Sequence, residues 1–208
     1  MMKKKTIALI IAMCLLIGGA IGGVVAWLID TTDTVTNTFS VGDINIEISE
    51  TGMSGLTKDF HYVPGKKIDK EPKVTVKADS ENAYVFLKVV VENNEVSGIS
   101  VINWAIADGW KYIVSGVETD ATGVDFTKNG TYYFYRNYTT VATDTDYRVL
   151  AGGTYGQVTV NSNVTKAMVD ATLEATAPAL KFAAAAVQSE NIGGLAEAWA
   201  ALPAAFKA

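Results

Sequence analysis

Cysteine is almost absent from this chain of 208 residues. The single cysteine, Cys14, lies inside the first long apolar run, so no disulfide can form within the chain. If that apolar run is removed after export, the remaining chain has no thiol chemistry. Its fold must then be stabilised by its hydrophobic core alone, which a chain of this length permits.

Histidine is equally scarce, because His61 is the only one. Zinc hydrolases group several neutral imidazoles, commonly as H-E-x-x-H, and a serine hydrolase needs a histidine beside an activated serine. Neither pattern occurs, and Ser54 lies in a Gly-Met-Ser-Gly stretch that is typical of a turn. We therefore expect no catalytic residue, no metal ligand, no cofactor and no enzymatic activity.

Carboxylates are plentiful, but few are arranged for chemistry. Asp144 and Asp146 are spaced two apart, as ligands of hard cations often are, yet no glycine-centred calcium-binding loop surrounds them. We interpret both as solvated loop charges, with a calcium site as the alternative. A pair of opposed carboxylates of the glycosidase kind also stays open, since sequence does not show a cleft.

An excess of basic residues is also missing. The chain has 17 Lys and Arg against 22 Asp and Glu, with a formal net charge of −5. Three of the lysines belong to the first five residues, so the rest of the chain is more acidic still. An acidic surface repels phosphate backbones, and we expect no nucleic-acid partner.

The first 30 residues have the organisation of an export signal. Lys3, Lys4 and Lys5 precede an apolar run over 7–29 that contains four glycines. The tripeptide Val-Val-Ala ending at Ala26 has small or modest side chains where a signal peptidase reads the chain. We predict a signal peptide over 1–26 and a cut between Ala26 and Trp27, with membrane contact only through the uncleaved segment. The alternative is a retained transmembrane helix, because about 20 apolar residues span a bilayer.

Most of the remaining chain alternates apolar and polar residues, as half-buried strands do. Residues 83–92 predict a long central strand with Ala83, Val85, Leu87, Val89 and Val91 on one face. Further strands are indicated at 132–135, after a turn at Gly152 and Gly153, and over 171–188. Residues 195–206 indicate a short amphipathic helix, while 96–106 stays open between helix and loop. Many short strands with polar turns predict an all-β fold, an antiparallel β-sandwich or jelly roll over 27–208.

Three segments carry a resemblance to a known family. The first is GGVVAWLIDTTDTVTNTFSVGDINIEI at 22–48, with T-F-x-x-G after an Asp- and Thr-rich stretch. The second, VPGKKIDKEPKVTVKADSENAYVFLKVVVE at 63–92, contains P-G-x-x-I-x-K-x-P-x-V followed by A-Y-V-F-x-K. The third is AAAAVQSENIGGLAEAWAAL at 183–202. In this order they resemble the TasA-like and camelysin-like proteins of Gram-positive bacteria.

The resemblance implies an exported jelly-roll domain, cut by a dedicated signal peptidase, that forms fibres on the cell surface or in a biofilm matrix. The expected partners are further copies of the chain and related matrix subunits. One alternative is a monomeric cell-surface binding or adhesion module. The other is a camelysin-like metallopeptidase, which the missing ligand set does not support.

A fibre also agrees with the pattern of the residues near the predicted cut. Residues 27–37 are rich in Thr and Asp and predict a mobile N-terminal arm. An alternating set follows and predicts a strand for pairing with a neighbouring subunit: Phe39, Val41, Ile44, Ile46 and Ile48. The alternative is that 39–48 forms the first strand of its own domain.

Overall fold

The computed structural model describes residues 29–32, 44–50, 63–165, 168 and 177–208, and of 29–32 only the backbone pairing. Several predicted features lie outside the described residues. They are the signal segment 1–26 with Cys14, the cleavage pair Ala26 and Trp27, His61, and the first part of the predicted assembly strand, Phe39 and Val41.

The described chain is predominantly β-structure. Its strands are β1 Ile29–Thr32, β2 Ile46–Glu50, β3 Lys67–Asp69, β4 Pro72–Val76, β5 Ala83–Glu92, β6 Glu95–Val96, β7 Ile99–Ser100, β8 Ile102–Asn103, β9 Lys111–Val114, β10 Val117–Glu118, β11 Gly130–Tyr138, β12 Thr145–Arg148, β13 Gln157–Val160 and β14 Ala179–Gln188. Two short helices follow, α1 Leu195–Ala201 and α2 Ala204–Lys207. The prediction of an all-β, antiparallel fold is confirmed.

One large sheet dominates the fold. Its six strands run in the order β1-β14-β5-β11-β9-β10. Two three-stranded sheets, β12-β4-β2 and β3-β13-β8, and the small hairpin β6-β7 complete the described set. Among the described strands every pairing is antiparallel.

The main core lies between the large sheet and the two three-stranded sheets. Val85, Leu87 and Val89 of β5 are buried together, as the alternation of this strand predicts. They share one cluster with Val74 and Val76 of β4 and with residues of β2, β11, β13 and β14. β5 lies between β14 and β11, so both of its edges are paired within the large sheet.

The opposite face of the large sheet is covered by the C-terminal helices. Phe86 of β5 is fully buried there, with Ala198, Leu202 and Phe206 in the same cluster. The aromatic ring of Trp199 lies 6.0 Å from that of Phe86, measured between centroids. The C-terminal segment is two helices rather than the one predicted, because Pro203 cannot continue α1.

Residues 96–106 are neither helix nor simple loop. They contain β7, β8 and the end of β6. The fully buried Asn94 side chain accepts a hydrogen bond from the Ile102 backbone N–H at 2.8 Å and donates one to the Ile102 carbonyl at 2.8 Å. The Asn94 side-chain amide therefore pairs with the Ile102 backbone as a neighbouring strand would. Hydrophobic periodicity cannot predict a pairing of this kind. Within the described part of the chain, no helix has the length and apolar character needed to cross a bilayer.

Candidate functional site

The described part of the predicted assembly strand belongs to the core of its own chain. Ile44 and Ile46 are buried, and Ile48 packs against the same cluster. β2 pairs with β4 from Ile46 opposite Val76 to Glu50 opposite Pro72. It is an edge strand of the β12-β4-β2 sheet.

A second edge strand comes from the segment that immediately follows the predicted cut. β1, within the predicted arm 27–37, pairs with β14 from Ile29 opposite Val187 to Thr32 opposite Ala184. β14 is ten residues long and β1 only four. Residues 179–183 of this edge therefore extend beyond β1, and no other described strand pairs with them on that side.

The other edge strand of the large sheet is β10, which is shorter than β1. β10 has two residues and pairs only with β9, Val117 opposite Val114. Both side chains are exposed, at 60% and 47%. A strand this short offers few backbone groups to a neighbour, which is one way natural sheets limit edge-to-edge association.

Asp144 and Asp146, the candidate calcium ligands, are paired with lysines of β4 and of the turn after it. Asp146 accepts hydrogen bonds from Lys73 Nζ at 2.6 Å and from Thr75 Oγ1 at 2.5 Å, and these two contacts lower its pKa. Asp144 accepts from the Ala78 backbone N–H at 2.9 Å and from Lys77 Nζ at 3.2 Å, which lowers its pKa as well. Asp146 lies in β12 rather than in a loop.

Among the residues that the structure describes, no group of three or more His, Cys, Asp and Glu side chains is placed to hold a metal ion. His61 and Cys14 lie outside that part of the chain.

A cleft of about 280 Å³ opens beside the β12-β4 pair. It is lined by Glu71, Lys73, Asp146, Arg148, Thr154 and Tyr155. Asp146 and Arg148 are exposed, and they lie opposite Thr75 and Lys73 of β4. The turn after β12 brings Thr154 and Tyr155 to the same place.

Sequence reasoning located the turn at Gly152 and Gly153 but did not associate it with a cleft. The available signal was an aromatic residue, Tyr155, directly after two glycines in a polar stretch. The residues that line the cleft with Tyr155 come largely from β4 and β12, and the sequence alone does not show that these two strands pair. Comparison of the chain with protein-family models, with curated proteins and with solved structures found no match.

Proposed function

We propose that this protein is a secreted structural subunit of fibres on the cell surface or in a biofilm matrix. In this proposal the chain is cut between Ala26 and Trp27 and assembles with copies of itself by strand addition. The domain is a jelly-roll β-sandwich of the TasA-like and camelysin-like kind, which the three sequence segments resemble. The antiparallel sheets packed around a common core agree with that architecture.

The observation that carries the proposal is how few residues of the β14 edge pair with a described strand. β1 occupies four residues of a ten-residue strand. A four-residue antiparallel pair forms about four backbone hydrogen bonds, worth about 1 kcal/mol each. Ordering four residues costs about 1–2 kcal/mol each. The ordering cost equals or exceeds the hydrogen-bond gain, so β1 is a strand that another chain's segment can replace.

A segment longer than β1, donated by another chain, would form more backbone hydrogen bonds along β14. The segment 27–41 has Thr and Asp first and the apolar Phe39 and Val41 later, and its exchange leaves Ile44, Ile46 and Ile48 in the core of their own chain. Paired along the whole of β14, it would form more backbone hydrogen bonds than β1 does and would place alternate side chains in pockets. A head-to-tail contact of this kind does not close, and its repetition gives a filament.

A disulfide lock tests the exchange directly. Thr31 and Ala185 are register partners, and opposite residues in an antiparallel pair have Cα atoms about 4.5–5.5 Å apart. That separation lies within the range that a disulfide bridges. The Thr31→Cys, Ala185→Cys double variant, with Cys14→Ser, should stay monomeric when oxidised. It should form sedimentable filaments after addition of a reductant.

The matched control introduces a disulfide between β9 and β10, at the other edge of the large sheet. Val114 and Val117 are exposed register partners in β9 and β10, so their double cysteine variant should polymerise with or without reductant. Equal filament yields from the oxidised and the reduced β1–β14 lock would reject exchange at this edge. Absence of filaments from the processed unmodified protein, by negative-stain microscopy, would reject the fibre proposal.

A second candidate function is a monomeric surface-binding module. The cleft beside Tyr155 favours it, since an exposed aromatic ring beside polar side chains is typical of binding surfaces. A protein that stays monomeric and binds a ligand would support this function.

A further inference from the structure

The turn that carries Tyr155 is held rigidly against the body of the protein. The Gln157 N–H donates to the Ala151 carbonyl and the Lys70 N–H donates to the Gly156 carbonyl, at 2.9 and 3.0 Å. A Cβ at Gly156 would lie 2.4 Å from the Lys70 carbonyl oxygen, so a side chain there would displace the backbone. Rigid turns that present exposed side chains are common sites of recognition.

The exposed position of the Tyr155 side chain is not explained by a stabilising contact within the described residues. Its side chain is 59% exposed, and it forms no hydrogen bond or ring contact within the described residues. A tyrosine combines a large apolar ring with a polar tip, and such rings contribute strongly to interfaces at low entropic cost. The ring is therefore available for contact with a ligand.

Of the charged side chains around the Tyr155 ring, Arg148 and Glu71 have hydrogen-bonding groups that are available to a ligand. Lys73 and Asp146 neutralise each other through a 2.6 Å ion pair. Arg148 donates one hydrogen bond, from Nη1 to the Thr154 carbonyl at 3.1 Å, and has no carboxylate partner among the described residues. The half-buried Glu71 carboxylate has no hydrogen-bond or ion-pair partner there either.

The cleft thus has two cationic and two anionic side chains, and no net charge. A strongly charged ligand gains nothing from such a balance, and ion pairs at exposed positions contribute little. A polyhydroxylated ligand fits better, because a hydroxyl group can donate to Glu71 or accept from Arg148. The C–H face of a sugar ring would cover the apolar face of Tyr155.

We propose that this cleft binds a neutral hexopyranose unit of a polysaccharide. Tyr155 contacts the sugar ring, while Glu71 and Arg148 bind neighbouring hydroxyl groups. A volume of about 280 Å³ suits one or two sugar rings rather than a long chain. The site is on the β12-β4 sheet, away from the β14 edge, and does not depend on assembly into fibres.

The test uses the full chain, kept in mild detergent if its apolar N-terminal segment is retained. The probes are cellohexaose, maltohexaose, mannohexaose and chitohexaose, titrated by calorimetry up to about 10 mM. At least one should bind. Tyr155→Ala should weaken that binding by about tenfold or more, Arg148→Gln should weaken it as well, and Tyr155→Phe should retain it.

Two controls separate binding from folding. Tyr155→Ala should leave the melting temperature unchanged, since the side chain is exposed, and Val117→Ser on the distant β10 should leave binding unchanged. Failure of all four hexaoses to bind would overturn the proposal. So would equal binding by Tyr155→Ala, or binding of the zwitterionic dipeptide Ala-Gln in place of the glycans.

Discussion

Leu87 should be among the residues most sensitive to truncation. It is fully buried at the centre of β5, opposite Phe134 of β11 and Ala184 of β14. Leu87→Ala removes three carbon atoms, worth about 0.8 kcal/mol each, or about 2.4 kcal/mol before any cavity is counted. Two hydrogen-bonded neighbours hold β5 in place, so the cavity collapses little and the total should reach about 2–5 kcal/mol.

Thermal and urea unfolding of the processed protein measure this loss. At about 2–4 °C per kcal/mol for a domain of this size, the melting temperature should fall by roughly 4–20 °C. Val117→Ala, at an exposed position, is the matched control and should change stability by less than about 0.5 kcal/mol. A loss below about 1 kcal/mol for Leu87→Ala would refute the burial of this face.

Three further outcomes are expected. N-terminal sequencing of the secreted protein should begin at Trp27, and recovery of only the full-length, membrane-bound chain would contradict cleavage after Ala26. Protein purified without added metal should contain no stoichiometric zinc and should not cleave peptides, since His61 is the only histidine; chelator-sensitive cleavage would contradict this. The pKa of Asp146 is lowered by Lys73 and Thr75, so its contribution to stability is present above the unfolded pKa of about 3.9 and is lost as the pH falls through the lower folded value. Asp146→Asn should therefore have a shallower decline in melting temperature between pH 5 and pH 2 than the unmodified protein, and parallel declines would show that the pair does not contribute.

Much of the local structure was predictable because it depends on neighbouring residues. The alternation of 83–92 specified which side chains of β5 share a buried face, since successive strand residues point to opposite sides. The turn at Gly152 and Gly153 was predictable for a similar reason, as both adopt positive φ, at 82° and 56°. β14, Ala179–Gln188, lies within the strand predicted over 171–188 and begins directly after Pro178.

The candidate sites were less accessible to such reasoning. Cleavage between Ala26 and Trp27 remains a prediction, as does the assembly role of the residues from Phe39 to Ile48. The cleft was missed because Glu71 and Tyr155 are 84 positions apart in the sequence, and only the pairing of β12 with β4 places them together. No short-range pattern records such a pairing.

The sequence by itself determined the antiparallel β character, the buried face of β5 and the scarcity of residues for thiol or imidazole chemistry. These follow from side-chain alternation, turn residues and composition, each of which acts locally. Only the tertiary structure decided that β5 lies between β11 and β14, and that Phe86 is covered by α1 and α2. Alternation states that a face is buried but not what buries it, because the choice of partner depends on the free energy of the whole packed chain.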